Sequence, residues 1–140
     1  MREILFRGKI KTGNKVKGWF YGIPYQDYEW FIIGGSMKFS VEKDSIGEYT
    51  GLTDKSGNKV FEGDIFKLDK ENITGVVRYG RYANPFNNDP NKTHIGFYIE
   101  WNDRLQLLRQ DLGFWCNECE IVGNIFDNPE LIGGNIFENH

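Results

Sequence analysis

Apolar and polar residues alternate with period two over much of the chain, and Gly, Asn and Asp punctuate the alternating stretches. That pattern predicts short strands joined by tight turns. Ile4, Phe6 and Ile10 mark one face of a first strand, with Glu3, Arg7 and Lys9 mostly on the other. Lys11-Thr12-Gly13-Asn14 turns the chain, and residues 16–23 return as the second arm of a hairpin. Pro24 is expected to stop that arm, because proline offers no amide to a sheet ladder. Residues 29–33 form a short apolar run closed by Gly34-Gly35. Asp54-Lys55-Ser56-Gly57 fits a type I turn, with Asp first and Gly fourth.

Further strands are expected at residues 64–68 and 74–79. Residues 80–94 (GRYANPFNNDPNKTH) have no apolar periodicity and are expected to be a long loop, functional or disordered. Alternation resumes at 96–101, with Phe97, Ile99 and Trp101 inward. Residues 104–112 fit either a strand or a short helix, and 120–126 predict the last strand. Asn128-Pro129-Glu130-Leu131 reads as a helical turn, with Asn before the first position and Pro at it. The hexapeptide at 123–128 (GNIFDN) returns at 134–139 as GNIFEN. That reads as a local duplication or chance in an Asn- and Ile-rich chain, or as a mimic of the first copy able to add to a sheet edge.

Composition sharpens the β reading. Aromatic residues are 16% of the 140 residues, and Ala83 is the single alanine. The length suits one domain, expected over residues 1–132 with a tail at 133–140. Apolar content of 39% and charged content of 26% describe a globular chain. The net charge of −3 argues against a non-specific DNA binder, which carries a basic excess. No apolar run approaches the ~20 residues of a membrane helix. The start lacks the apolar stretch of a signal peptide, so the expected location is the cytoplasm, without membrane contact.

Three segments together resemble the YopX family of bacteriophage and prophage proteins. They are MREILFR at residues 1–7, YTGLTDKSGNKVFEGDI at 49–65 and IVGNIFDNPELI at 121–132. The chain differs from the family pattern after Arg7, where Gly8-Lys9 replaces an Ala-Trp pair, and in its longer tail. The resemblance implies a small β-rich phage protein made in the bacterial cytoplasm, and it brings no activity or catalytic residue with it. Its motif positions Tyr49, Gly51, Leu52, Asp54, Gly57, Glu62, Gly63, Asp64, Gly123, Asn124, Asn128 and Pro129 are expected to be structural. The order of a Gly-Asp bend, a strand, a Gly and a short valine strand is similar to that of small SH3-like barrels. The expected architecture is therefore an SH3-like or related β-barrel of short antiparallel strands, with long loops and a short C-terminal helical turn.

The chemistry in the sequence points away from catalysis. Trp115-Cys116-Asn117-Glu118-Cys119 has the spacing of a dithiol active site but not the βαβ context, so two reduced thiols are expected. A zinc site finds only His94 and His140 as further ligands. Glu62 with Asp64 and Glu118 with Glu120 would share one face of a strand, which suits general acid/base work but more simply a solvated face. No cofactor or metal is expected, and the protein is read as a non-enzymatic binding module. Its partner is expected to be protein, with self-association. The alternative partner is nucleic acid, held by Arg78, Tyr79, Arg81, Tyr82 and Phe86, where basic and aromatic residues mix. A metal-assisted hydrolase is the third reading.

Overall fold

Short antiparallel strands and tight turns account for most of the chain, as the alternation predicts. The computed structural model describes residues 3–68, 72–84, 93–103 and 108–132. The chain divides into two compact units, Met1–Gly51 and Leu52–His140.

In the first unit, β1 (Phe6–Lys9), β2 (Trp19–Asp27), β3 (Glu29–Gly34) and β4 (Met37–Ser40) form a meander. A 3-10 turn at Lys43–Ser45 leads into β5 (Gly47–Thr53), which pairs with β1 and runs on into the second unit. The order across this sheet is β4-β3-β2-β1-β5; β6 (Lys59–Phe61) belongs to the second unit. The expected β1–β2 hairpin is present, with Phe6 opposite Gly22 and Lys9 opposite Trp19. Pro24 does not end the strand. It pairs with Ile32 inside β2, which continues to Asp27. The reason lies in the neighbouring strand: the register with β1 ends at Phe6 opposite Gly22, so a proline two residues further on removes no amide from that ladder.

The pleat gives this sheet two different faces. Phe20 packs edge-to-face on Phe39 with ring centroids 4.8 Å apart, and Ile32 and Val41 are fully buried. Ile10 bridges to Val41 and is buried with it. Ser45 ties the 3-10 turn to β1, since its Oγ accepts the Lys9 amide at 2.7 Å.

In the second unit, β7 (Asp64–Lys67), β8 (Thr74–Tyr82), β9 (His94–Trp101) and β10 (Ile121–Asn124) form a sheet of order β10-β7-β8-β9. The helix α1 (Leu112–Glu118) precedes β10, and a 3-10 turn at Pro129–Ile132 follows it, where the helical turn was expected. The core joins Val60, Phe66, Val77, Ile99 and Trp101 to Leu112, Trp115, Cys116 and Cys119. Trp101 and Trp115 meet edge-to-face at 4.9 Å. Both indole N–H groups donate to the Arg109 carbonyl, at 3.2 and 2.7 Å. A seven-residue helix is too short to hold by propensity alone, so this packing is what keeps α1 helical.

Three expectations change here. The long loop is shorter than expected, because β8 runs to Tyr82 and β9 starts at His94. Residues 112–118, read only as the end of an ambiguous segment and the approach to a strand, form α1. The last strand ends at Asn124, where the Asn124 side chain turns the chain. Residues 85–92, 104–107 and the tail 133–140 lie outside the described residues. The chain is mainly β, in two antiparallel sheets with one short helix; neither sheet closes on itself, so the SH3-like barrel is not confirmed. Among the described residues, no helix is long and apolar enough to cross a membrane.

Candidate functional site

Two of the segments that carry the family resemblance meet in the second unit. Asp54 opens the type I turn between β5 and β6, and its carbonyl accepts the Gly57 amide at 3.0 Å. Gly57 stands at φ +90°, a conformation that costs a residue with a Cβ about 1–2 kcal/mol. The Asp54 side chain is buried and accepts four hydrogen bonds. Oδ1 takes the amides of Ser56 (3.0 Å) and Asn58 (2.8 Å). Oδ2 takes Asn58 Nδ2 (3.2 Å) and the distant Ile121 amide (2.9 Å). Burial alone would raise this carboxyl, but the Ile121 and Asn58 amides, the Asn58 side chain and the Ser56 amide hold it below its ordinary value. Beside it, the Lys55 amide donates to the Cys119 carbonyl at 3.1 Å.

A second bend repeats the device. The Gly63 amide donates to the Val77 carbonyl (2.8 Å), and the Gly63 carbonyl accepts the Ile125 amide (2.9 Å). Asp64, almost fully buried, accepts the Phe61 amide at 2.7 Å and lies opposite Asn124 in the β7–β10 register. A Cβ on Gly123 would come within 2.6 Å of Asn128 Oδ1, the atom that accepts the Asn124 amide at 3.1 Å. Asn124 Oδ1 in turn accepts the Phe126 and Asp127 amides, and Pro129 opens the 3-10 turn. Tyr49 is buried in the first unit, Gly51 has φ +88°, and Leu52 is half-exposed. These positions build backbone geometry. Asp54 and Asp64 hold main-chain amides, the work of a structural clamp.

The paired carboxylates do not share strand faces. Glu62 sits in the turn before β7 and Glu118 in the last turn of α1, so neither pair follows the pleat. Cys116 lies in α1 and Cys119 is its C-terminal cap, both buried. Burial, reinforced by the nearby Asp54 and Cys119, pushes the Cys116 thiol up to about 12. A reactive thiolate needs the opposite environment, such as a helix N-terminus.

The basic–aromatic run on β8 is split by the pleat. Arg78 and Tyr82 face one side, opposite Tyr98 and His94. Tyr82 stacks on Tyr98 at 5.3 Å and lies 5.2 Å from the His94 ring. Arg78 Nε meets Glu100 Oε1 at 3.3 Å. Burial and the charge of Asp111 raise the Tyr82 hydroxyl above its ordinary value; burial and Glu100 do the same for Tyr98. A cavity of about 390 Å³ draws on both faces, with Tyr98 and Glu100 from this one, Arg81 and Trp101 from the other, and Asp103 in its lining. Its two carboxylates against one guanidinium make it a poor phosphate site. Tyr79 and Arg81 occupy the other side, opposite Phe97 and Ile95. There Tyr79 packs edge-to-face on Phe97 at 5.0 Å, with Tyr79 56% and Ile95 68% exposed. Phe86 lies outside the described residues.

A second surface escaped the sequence reading. Trp19, Tyr21, Ile23 and Tyr25 alternate along one face of β2, with Phe31 and Ile33 beside them on β3. The Arg7 guanidinium lies 4.6 Å from the Trp19 ring centre, and Lys38 Nζ lies 4.8 Å from that of Phe31. The available signal was charge: residues 4–26 hold Arg7, Lys9, Lys11, Lys15 and Lys17 and no Asp or Glu.

A family model described as YopX protein matches residues 31–133, from β3 to the end of the Pro129–Ile132 turn. No curated protein matches the chain. The match takes in both halves of the Asp54 clamp and nearly three quarters of the sequence, and the chain belongs to the YopX protein family.

Proposed function

We propose that the protein is a phage or prophage accessory factor of the bacterial cytoplasm that works by binding rather than catalysis. Its first partner is a second copy of itself, met through the β8–β9 hairpin. The observation that carries the reading is the strip formed by exposed Tyr79 and Ile95 with half-buried Phe97 beside them. It continues the sheet face on which Val77, Ile99 and Trp101 form the buried core. Contiguous exposed apolar surface of this kind marks an interaction site, and a face-to-face pairing of identical hairpins is self-complementary about a twofold axis. The non-enzymatic reading is supported by the buried carboxylates of Asp54 and Asp64, which hold backbone amides, and by the protonated Cys116. Nucleic acid is the less favoured partner for this hairpin, since Arg78 is paired with Glu100.

Sedimentation velocity from low to high micromolar concentration tests this. The wild-type chain is expected to self-associate, and Tyr79→Ser with Ile95→Ser to shift it to monomer without loss of fold. A strict monomer throughout, in a chain that also retains no protein partner on affinity purification, overturns the proposal.

A further inference from the structure

We infer that the open face of the first unit's sheet binds single-stranded nucleic acid. Antiparallel pairing aligns Trp19, Tyr21 and Tyr25 along β2, with Phe31 beside Tyr25 at a ring-centroid distance of 5.4 Å. Alternate residues on a strand are roughly 7 Å apart. Rings at that spacing suit the unstacked bases of an extended strand, whose faces stack on aromatic side chains whatever the base. Tyr21 is 46% exposed, and Ile23 and Ile33 between the rings are exposed to a similar degree.

Cations stand among these rings. Lys9 projects beside Trp19, with which it pairs, and Arg7, opposite Tyr21, is buried against the same indole ring. Lys38 rises from β4 over Phe31 and Tyr25, and its ammonium is held above its ordinary value by the Tyr25 hydroxyl. Two acids share this face at its far end, Asp27 opposite Glu29; Glu29 accepts a hydrogen bond from Ser40 Oγ and is paired with Lys11 at 3.5 Å, and the charge of Asp27 acts on Lys38. Lys15 and Lys17 are exposed in the β1–β2 connection, at the end of the same hairpin.

The charge of the whole chain conceals this. Residues 1–51 carry eight Lys and Arg against six Asp and Glu, a net +2, and residues 52–140 carry nine against fourteen, a net −5. An acidic chain thus contains a basic unit, and such asymmetry between halves points to a polyanion as partner of the basic half. A protein partner fits the face less well, because the cores of protein interfaces are depleted of lysine.

The test is fluorescence anisotropy of the full chain with a labelled oligodeoxythymidine about twenty nucleotides long, against a duplex of matched length. The single strand is expected to bind more tightly than the duplex. The logarithm of its association constant should fall against log salt with a slope of about −2, for the three cations Lys9, Lys17 and Lys38 at ~0.7 each. Tyr21→Ala and Lys38→Ala should each weaken binding roughly five- to tenfold, while Tyr79→Ser with Ile95→Ser leaves it unchanged. Wild-type thermal melts of the variants exclude unfolding as the cause. Absence of binding at low salt and high micromolar protein overturns the inference. So does binding unchanged in the Tyr21→Ala and Lys38→Ala double variant, or a double variant that loses self-association instead of oligonucleotide.

Discussion

The two units use their polar and aromatic groups in opposite ways. In the second, carboxylates are buried and bound to main-chain amides, indole N–H groups meet a carbonyl inside the core, and the net charge is negative. In the first, tyrosines stay half in solvent on one sheet face, lysines sit against them, and the net charge is positive. The difference teaches that the segments carrying the family resemblance and a solvent-facing aromatic surface need not coincide. Asp54, Gly63, Gly123 and Asn128 set backbone geometry, whereas the aromatic face of the first unit lies largely ahead of the region that the family model matches.

The contrast predicts how each unit answers mutation. The largest effect is expected in the second core. Trp115→Ala removes the ring against Trp101 and a hydrogen bond to the Arg109 carbonyl, and should cost about 3–5 kcal/mol in urea unfolding. Asp54→Ala should follow at ~2–4 kcal/mol, since it leaves the Ile121, Asn58 and Ser56 amides without their acceptor. The same carboxyl sets a pH dependence. Its folded value lies below the unfolded one, so its stabilisation is complete above the ordinary carboxyl value of about 4 and fades as pH falls through the lower folded value. Asp54→Asn should flatten that acid limb of the stability curve, read by thermal melts between neutral pH and pH about 3.

Gly123→Ala is expected to cost about 1–3 kcal/mol, because the added methyl meets Asn128 Oδ1 and Leu131. The smallest effect belongs to the first unit's open face. Tyr21→Ala or Lys38→Ala should move stability by no more than ~0.5 kcal/mol in the same unfolding assay. A loss from Tyr21→Ala comparable to that from Asp54→Ala would erase the distinction between the units. An Asp54→Ala variant as stable as wild type would erase it from the other side.

Local rules made much of the fold legible. The Asp54–Gly57 turn, the first hairpin and the β7 strand follow from residue type and spacing, because turns and alternation are set by nearest neighbours. Pro24 was misleading because its tolerance depends on where β1 ends, which no local pattern records. Helix α1 was hidden because Gly113 and its short length weaken its propensity, and Trp101 packing supplies the stabilisation from elsewhere in the chain. The β8 patch illustrates a more general trap. Arg78, Tyr79, Arg81 and Tyr82 are neighbours in sequence, yet period two sends them to opposite faces and gives Arg78 an acidic neighbour across the strands. The first-unit face was legible in principle, from aromatics at positions 19, 21 and 25 beside an acid-free basic stretch, but averaging charge over the whole chain concealed it.

The most direct test of this division is sedimentation velocity of the full chain with fluorescent oligodeoxythymidine, following protein and label together. Tyr79→Ser with Ile95→Ser is expected to abolish self-association and leave the label bound, and Tyr21→Ala with Lys38→Ala to release the label and leave self-association intact. If one pair of substitutions removed both behaviours, or neither pair changed either, the claim that two separate faces of two units do the binding would be contradicted.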